Sequence, residues 1–275
     1  MKTNKIVFNY INYKKQSIYD FLKKKDYSDS NIYYLIKNNN VNIDNKIVND
    51  KWEKLYFKSK IQVTLNDEEN TLFILNKPLD IVYEDKYFMI VNKPFNLDIE
   101  PTKANYENNL AAMIGYYFKE NNIHSKVHFI NRLDKLTSGL VIVGKNQYIH
   151  NLFAKIHIIK KYVALVEGKT KLRQTIKVKL KKDDYSLKRI VCNDGKMCIT
   201  KYERIKFDGK NTLVKIKLLT GRTHQIRASF AHIKHPLVFD PLYGNKNENG
   251  NMYLKANYLK FKHPITLKVV KIQIN

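Results

Sequence analysis

The chain has 275 residues, of which 44% are hydrophobic, which is typical of a globular protein with one large domain or with a large and a small one. Lys and Arg number 50 against 25 Asp and Glu, and the resulting formal charge of +25 indicates a polyanionic partner such as nucleic acid. We expect a cytoplasmic protein without a membrane span, because apolar runs are short and the first residues lack the apolar core of a signal peptide.

Two helices are predicted near the N-terminus, where apolar residues recur at helical spacing in SIYDFLKKK and SDSNIYYLIKNN. Ser17 is placed to cap the first helix, and Ser28 or Ser30 to cap the second. The alternating segment VNIDNKIV and the short run KIQVTL then predict strands. This lysine-bearing helix pair with a hairpin resembles the small RNA-binding module first seen in the fourth protein of the small ribosomal subunit. We therefore predict such a module over residues 1–70.

A second domain is predicted over residues 71–275. The segment from Asn66 to Pro78 begins with acidic residues and ends at a proline, which is typical of a linker. Strand patterns dominate from Leu79 onward, and helical patterns interrupt them at 108–120, 147–158 and 224–233. Hairpins without a regular βαβ repeat predict an α+β domain built on a mixed, largely antiparallel sheet.

A carboxylate stands out in the segment FINRLDKLTSGLVIVGK, residues 129–145. Asp134 precedes the apolar strand-like run, and Gly139 permits backbone angles that other residues avoid. Loops held by strands commonly carry catalytic groups, so Asp134 is a candidate for chemistry. The alternative is that Asp134 accepts backbone hydrogen bonds in a turn.

A second segment, LLTGRTHQIRASFAHIKHPLVFDPLYG, predicts a strand followed by a helix that starts at His224, with Thr223 as its N-cap. Arg222 then lies at the strand-to-helix turn, where a guanidinium can hold a carboxylate in its ionised form. The alternative is a solvated surface arginine. The histidines of this segment extend from the helix start to beyond its end, so we predict no metal site.

Together these segments resemble the RluA-type pseudouridine synthases, in particular the RluD-like enzymes of the large ribosomal subunit, a family that isomerises uridines in RNA. NRLDKLTSG is similar to the family's HRLDxxTSG box, and KKYVALVEG to its K-x-Y-x-A-x-V-x-G box. TGRTHQIR is intact, and HPLVFDPLYG is similar to a box that ends in Asp-Pro-Leu-Tyr-Gly. The resemblance covers nearly the whole chain.

The resemblance implies a role for each matched residue. Asp134 is expected to be the catalytic aspartate, and Arg222 its ion-pair partner. Tyr162 is expected to stack on the target base and to assist the final proton removal. Arg132 is expected to occupy the place of the flipped-out uridine. The remaining residues expected to bind substrate are Thr137, Lys160, Ile226 and Arg227.

Five positions depart from the family pattern. Asn131 and Ser229 stand where the family has histidines. Asn96, Lys234 and Phe239 stand at glycine positions, where a left-handed backbone is expected. For Lys and Phe such a backbone costs of order 1 to 3 kcal/mol.

The implied activity is the isomerisation of uridine to pseudouridine in structured RNA, by an isomerase that flips the base out and uses neither a cofactor nor a metal. The expected target is ribosomal RNA of the large subunit, with transfer RNA as the alternative, and the protein is expected to be a monomer. A second hypothesis is a catalytically inactive RNA-binding factor of ribosome assembly on the same fold. The presence of Asp134, Arg222, Tyr162 and Arg132 favours the enzyme.

Overall fold

A computed structural model of the chain describes residues 5–65, 68, 70, 73–244 and 250–275. Within the predicted linker, Asn66, Asp67, Glu69, Thr71 and Leu72 lie outside the described residues. The helices are α1 (Ile18–Lys24), α2 (Asp29–Lys37), α3 (Leu110–Glu120), α4 (Gln147–Phe153) and α5 (Gln225–His232). Among these described helices, none is long and apolar enough to cross a membrane.

The strands fall into an N-terminal group and a larger C-terminal group. The N-terminal strands are β1 (Val7–Ile11), β2 (Gln16–Ser17), β3 (Val41–Ile43), β4 (Lys46–Ile47), β5 (Lys54–Leu55) and β6 (Lys60–Thr64). The others are β7 (Ile81–Glu84), β8 (Phe88–Lys93), β9 (His128–Phe129), β10 (Ser138–Gly144), β11 (Ile159–Glu167), β12 (Arg173–Lys182), β13 (Arg189–Val191), β14 (Lys196–Phe207), β15 (Asn211–Leu218), β16 (Leu254–Lys262) and β17 (Val269–Gln273).

The backbone divides into two compact units. The first comprises Met1–Val91, Glu100–Asn131 and Ile142–Ile156, and the second comprises Asn92–Ile99, Arg132–Val141 and His157–Asn275. The first unit thus joins the predicted N-terminal module to parts of the predicted catalytic domain. The functional division after residue 70 therefore stays a prediction.

The N-terminal part of the first unit is a four-stranded sheet in the order β1-β6-β3-β4, accompanied by α1 and α2. Both predicted helix caps are confirmed. Ser17 Oγ accepts the backbone N–H of Asp20 at 3.1 Å, and Ser28 Oγ accepts that of Asn31 at 3.1 Å. Each cap satisfies one of the N–H groups that a helix start leaves without an intrahelical partner.

Aromatic side chains fix α4 to this N-terminal part within the first unit. The rings of Tyr27 and Tyr148 stack with their centroids 4.1 Å apart, and Phe8 meets Tyr148 edge-on at 5.6 Å. Tyr148 Oη also donates to the carbonyl of Lys25 at 2.7 Å. Since Tyr27 and Tyr148 are buried, removing residues 1–70 would expose an apolar surface on α4.

The second unit contains an antiparallel sheet in the order β13-β12-β14-β15-β11-β16, with β17 also paired to β16. One parallel pairing is added where Ser138 and Gly139 of β10 meet Lys255 and Ala256 of β16. Helix α5 packs on one face of this sheet, where the rings of Phe230 and Tyr202 lie 5.1 Å apart. A mixed, largely antiparallel sheet with few helices confirms the predicted α+β class.

The two faces of this sheet differ in character because successive residues of a strand point to opposite sides. Thr200, Tyr202 and Ile216 are buried on the face that α5 covers. Their neighbours in sequence, Lys201 and Lys217, are exposed on the other face.

Candidate active site

Asp134 lies in a short turn that leads into β10. Its backbone carbonyl accepts the N–H of Thr137 at 2.9 Å, and Thr137 is buried. Gly139 has a φ of 111°, and a β-carbon there would come within 2.2 Å of the carbonyl oxygen of Ala256. The unusual backbone predicted for Gly139 is thus confirmed, and the parallel join to β16 that it permits holds the strand after Asp134 in place.

A buried lysine, which the sequence analysis did not predict, holds the loop of Asp134 in place. Lys93 is fully buried, and its Nζ donates to the carbonyls of Pro94 at 2.9 Å, Leu97 at 2.8 Å and Lys135 at 3.0 Å. Burial lowers the pKa of Lys93 to about 8, although the negative charges of Asp98 and Asp134 act in the opposite direction. One ammonium group therefore ties residues 94–97 to the residue that follows Asp134.

A small cavity of about 60 Å³ gathers the predicted site residues of the second unit. Seven of the eight predicted residues, all of which the structure describes, line it: Arg132, Asp134, Thr137, Tyr162, Arg222, Ile226 and Arg227. Leu133, Leu218, His224, Gln225 and Leu254 complete its wall. Lys160 lies outside this lining, half-buried on β11, where burial lowers its pKa.

Tyr162 forms the buried side of the cavity. It sits on β11 beside a β-bulge, where the pairing with β16 shifts between Lys161 and Tyr162. Burial raises the pKa of Tyr162, and the negative charge of Asp134 raises it further. The phenol is therefore neutral at physiological pH and can donate a proton in a hydrogen bond.

The turn that carries Arg222 is organised by Gln225, contrary to the sequence prediction. Helix α5 begins at Gln225 instead of His224, and Thr223 makes no cap because the N-cap residue is His224, in a left-handed conformation with a φ of 53°. Gln225 Oε1 accepts the N–H of Arg222 at 3.1 Å and the hydroxyl of Thr220 at 2.9 Å. A buried amide thus fixes the turn before the helix, and α5 has no side-chain cap.

Among the ion pairs of the described residues, the partner of Asp134 is His224, whose Nε2 lies 4.0 Å from Asp134 Oδ2. Burial lowers the pKa of His224, and the charges of Arg227 and Arg189 act in the same direction, against the attraction of Asp134. Its Nδ1 lies 3.2 Å from Tyr243 Oη, which in turn accepts the N–H of Arg189 at 2.6 Å. A largely neutral imidazole therefore faces the carboxylate.

Arg222 and Asp134 do not form the expected ion pair in this structure. Both line the cavity, but within the described ranges no nitrogen of Arg222 lies within 4.0 Å of the Asp134 carboxylate. Arg222 is exposed, and its positive charge partly offsets the rise that burial gives to the pKa of Cys198. A long, hydrated side chain loses rotamer freedom on pairing, so an exposed arginine gains little by reaching a half-exposed carboxylate.

Arg227 is committed to a different carboxylate. Its Nε and Nη2 each donate at 2.7 Å to Asp240, and the two side chains are 3% and 0% exposed. Asp240 Oδ1 also accepts the N–H groups of Leu242 at 2.9 Å and Tyr243 at 3.1 Å. This buried, forked pair fastens α5 to the DPLYG segment, a contact that the sequence did not indicate.

None of the five residues that depart from the family pattern, all of them within the described part of the chain, is among the residues that line the cavity. Asn131 is buried and accepts the N–H of Ile142 at 2.8 Å, and Ser229 Oγ lies 3.3 Å from the hydroxyl of Thr200. Asn96, Lys234 and Phe239 have φ values of 58°, 62° and 58°. The left-handed backbone expected at these three positions is confirmed.

Comparisons with known proteins agree on one family. Residues 87–232 match the sequence profile described as RNA pseudouridylate synthase. The ribosomal large subunit pseudouridine synthase D of Buchnera aphidicola subsp. Schizaphis graminum is 33% identical over 89% of this chain and 84% of its own length. An uncharacterized RNA pseudouridine synthase of Mycoplasma capricolum subsp. capricolum is 35% identical over 90% of this chain and 88% of its own length. The structure of human RNA Pseudouridylate Synthase Domain Containing 1 superposes with a TM-score of 0.60 at 26% identity, covering 72% of this chain and 83% of that one.

Proposed function

Because the chain belongs to the RNA pseudouridylate synthase family and is an RNA-modifying isomerase, we propose that it converts uridine to pseudouridine in structured RNA with Asp134 as its catalytic carboxylate. We take RNA of the large ribosomal subunit as the first target. Support for this target comes from relatives named for that subunit and from the net charge of +25.

The observation that carries the proposal is the placement of one partly exposed carboxylate in a cavity with a buried tyrosine. The Asp134 side chain is 28% exposed and Tyr162 is 6% exposed. In the reaction the bond between N1 of uracil and C1′ of the ribose breaks, the base turns, and C5 bonds to C1′. The proton that leaves C5 is balanced by one gained at N1, so the product is an isomer. A carboxylate can act as the nucleophile in this reaction, with either the ribose or the base as its target.

Tyr162 is proposed to hold the detached base. Its ring forms a wall of the same cavity, and stacking of a base on an aromatic ring contributes about 1 to 3 kcal/mol. Because the phenol stays neutral, its hydroxyl can donate to the base and take part in the proton transfer from C5. Thr137, Ile226 and Lys160 are proposed as further contacts to the nucleotide.

Arg132 is proposed to replace the uridine that leaves the RNA stack. It is exposed and precedes Asp134 by two residues, at the mouth of the cavity that both line. Extruding a base costs a few kcal/mol of stacking and pairing, which an inserted guanidinium can offset. We propose that Arg222 approaches Asp134 only once RNA has displaced water from the cavity mouth, since a desolvated pair is stronger than a hydrated one.

Pseudouridine mapping tests this proposal. We expect the purified protein to form pseudouridine in large-subunit ribosomal RNA taken from cells that lack the protein. Asp134→Asn should bind that RNA with an affinity within a few-fold of the parent and should form no pseudouridine. Asp98→Asn is the matched control, since it removes an equal charge from the neighbouring loop. Pseudouridine formation by Asp134→Asn near the parent rate would remove the catalytic assignment. A parent that binds the RNA but modifies no uridine would support the assembly-factor hypothesis.

Residues 1–70 are proposed to be an RNA-binding module. The exposed ring of Trp52 lies 5.0 Å from that of Tyr19, and Lys51 Nζ lies 5.1 Å from the Trp52 ring. A lysine beside an exposed aromatic ring suits a nucleotide, because the lysine offers charge to the phosphate and the ring offers a stacking surface to the base. Trp52→Ala with Lys51→Gln should weaken RNA binding and lower the salt slope by about 1. Unchanged affinity would argue against the module.

A further inference from the structure

The exposed face of the second unit's sheet carries two rows of charged, mainly basic, side chains that the proposed reaction does not use. Lys201 of β14 lies directly opposite Lys217 of β15, which lies directly opposite Lys161 of β11. Thr175 and Tyr258 flank this row on the neighbouring strands. Adjacent strands are about 4.8 Å apart, so three positive charges lie side by side across the sheet.

A second row runs parallel to the first, two residues away along β12, β14 and β15. Arg173 of β12, Glu203 of β14 and Lys215 of β15 face one another in register. The two rows line a groove of about 680 Å³. Lys177 and Lys179 extend the same exposed face along β12.

The arrangement is unfavourable for the fold taken alone. Like charges directly opposite each other on neighbouring strands destabilise a sheet. In the described part of the chain, the ion pairs on this face join Arg173 to Glu203 and Lys181 to Asp194, and neither includes a lysine of the first row. A polyanion bound along the rows would offset this repulsion.

We propose that this face binds the phosphate backbone of a double-helical RNA segment remote from the modified uridine. The inference rests on the proposed function in so far as RNA is the substrate. Lys161 and Tyr162 are consecutive in β11 and therefore point to opposite faces, so the groove and the reaction cavity lie on different sides of the sheet. Double-stranded RNA is recognised mainly through phosphates and shape, which lysine rows can provide.

The side chains of the groove favour a duplex over a single strand. Single-stranded RNA is held by stacking its bases on exposed aromatic rings. The ring of Tyr202 packs against Phe230 on the opposite face. The first row ends at Tyr258, which is half-buried with its ring 4.4 Å from Lys161 Nζ. Charge without open stacking surfaces fits a backbone whose bases are already paired.

The test uses the full chain with Lys177, Lys201 and Lys217 replaced together by Gln. The probe is an RNA duplex of roughly 16 base pairs made of G·C pairs, which offers no uridine to the reaction cavity. We expect affinity to fall on the order of tenfold or more and the salt slope to fall by about 3. Because like charges are removed from the sheet, the variant should unfold at a temperature equal to or above that of the parent.

Two matched variants accompany it. Replacing the same three lysines by Arg should keep duplex affinity near that of the parent, and replacing the exposed Lys86, Lys103 and Lys119 by Gln should change it less than threefold. Parent-like duplex binding by the Gln variant would overturn the proposal, as would an equal loss in the second control or a larger loss on single-stranded poly(C). If the parent forms no pseudouridine yet shows this lysine-dependent duplex binding, the proposed function fails and the surface stands.

Discussion

Asp134 and Asp240 are carboxylates of the same unit in opposite circumstances. Asp240 is fully buried and accepts hydrogen bonds from the Arg227 guanidinium and from two backbone N–H groups. Asp134 is 28% exposed in a cavity, and its neighbour is the largely neutral imidazole of His224 at 4.0 Å. A carboxylate whose acceptor sites are filled by the protein can only hold structure together. One that faces a cavity can react with what enters it.

Breaking the buried pair should have the largest effect. Asp240→Asn leaves the Arg227 charge without its counter-charge in a dry site, so we expect a loss of about 3 to 5 kcal/mol in the free energy of unfolding, measured by urea denaturation. Asp134→Asn is the matched variant and should change stability by less than about 0.5 kcal/mol. Equal losses would show that the contrast between the two carboxylates is false. The double variant Arg227→Met with Asp240→Leu should recover part of the stability.

The buried lysine beneath Asp134 should make stability depend on alkaline pH. The folded state keeps the Lys93 proton up to about pH 8, while the unfolded state keeps it up to about pH 10.5. Between these values the unfolded state binds more protons, so the parent should gain stability as pH rises from 8 to 10.5, by at most on the order of 3 kcal/mol. Urea denaturation of Lys93→Met should lack this gain, and Lys135→Met should keep it. A parent that gains no more stability than Lys93→Met over this pH range would contradict the depressed pKa.

Substitution of Arg132 tests whether this residue assists the extrusion of the base or takes part in the chemical step. Arg132→Ala should lower the rate of pseudouridine formation on the order of 10² on a stem-loop, because nothing then offsets the unstacking of the uridine. On an unstructured oligonucleotide with the same local sequence the loss should be much smaller. Equal losses on both would assign Arg132 to the chemistry or to general phosphate binding.

The smallest expected effect lies at the far end of α5. Lys234 follows the helix in a left-handed conformation, and its N–H donates to Ala231 while that of His235 donates to Phe230. This is the position where glycine is preferred, so Lys234→Gly should raise the free energy of unfolding by about 0.5 to 1 kcal/mol without changing the rate. Lys234→Ala should give no such gain in thermal unfolding. A loss of activity in Lys234→Gly would mean that this turn contributes to the site.

Features that depend on a few neighbouring residues were predictable from the sequence. The caps at Ser17 and Ser28 follow from short segments, and the left-handed backbone at Lys234 and Phe239 follows from the glycines that the resembling family has at these positions. The structure confirms both. The start of α5 was predicted one residue early. His224 adopts a left-handed backbone instead of a helical one, and the Gln225 side chain donates to the Ile199 carbonyl and the Thr200 hydroxyl on a strand that is distant in sequence.

Long-range partnerships could not be read from the sequence. Lys93 looks like a surface lysine until Lys135, 42 residues away, supplies a carbonyl to it. Asp240 lies within a segment that matches the family pattern, but the sequence of that segment does not indicate that Asp240 pairs with Arg227. His224 offered one signal, since it follows Arg222 by two residues in an intact box, but its approach to Asp134 depends on the folded turn.

Trp52 can serve as an intrinsic fluorescent probe because of its position. It is the single tryptophan in the sequence, and it lies exposed in the N-terminal segment, beside the Tyr19 ring and the Lys51 ammonium group. Indole emission therefore reports on the surroundings of Trp52 within residues 1–70. Quenching by RNA, followed in time, would separate engagement of this segment from turnover at Asp134 without attaching any label.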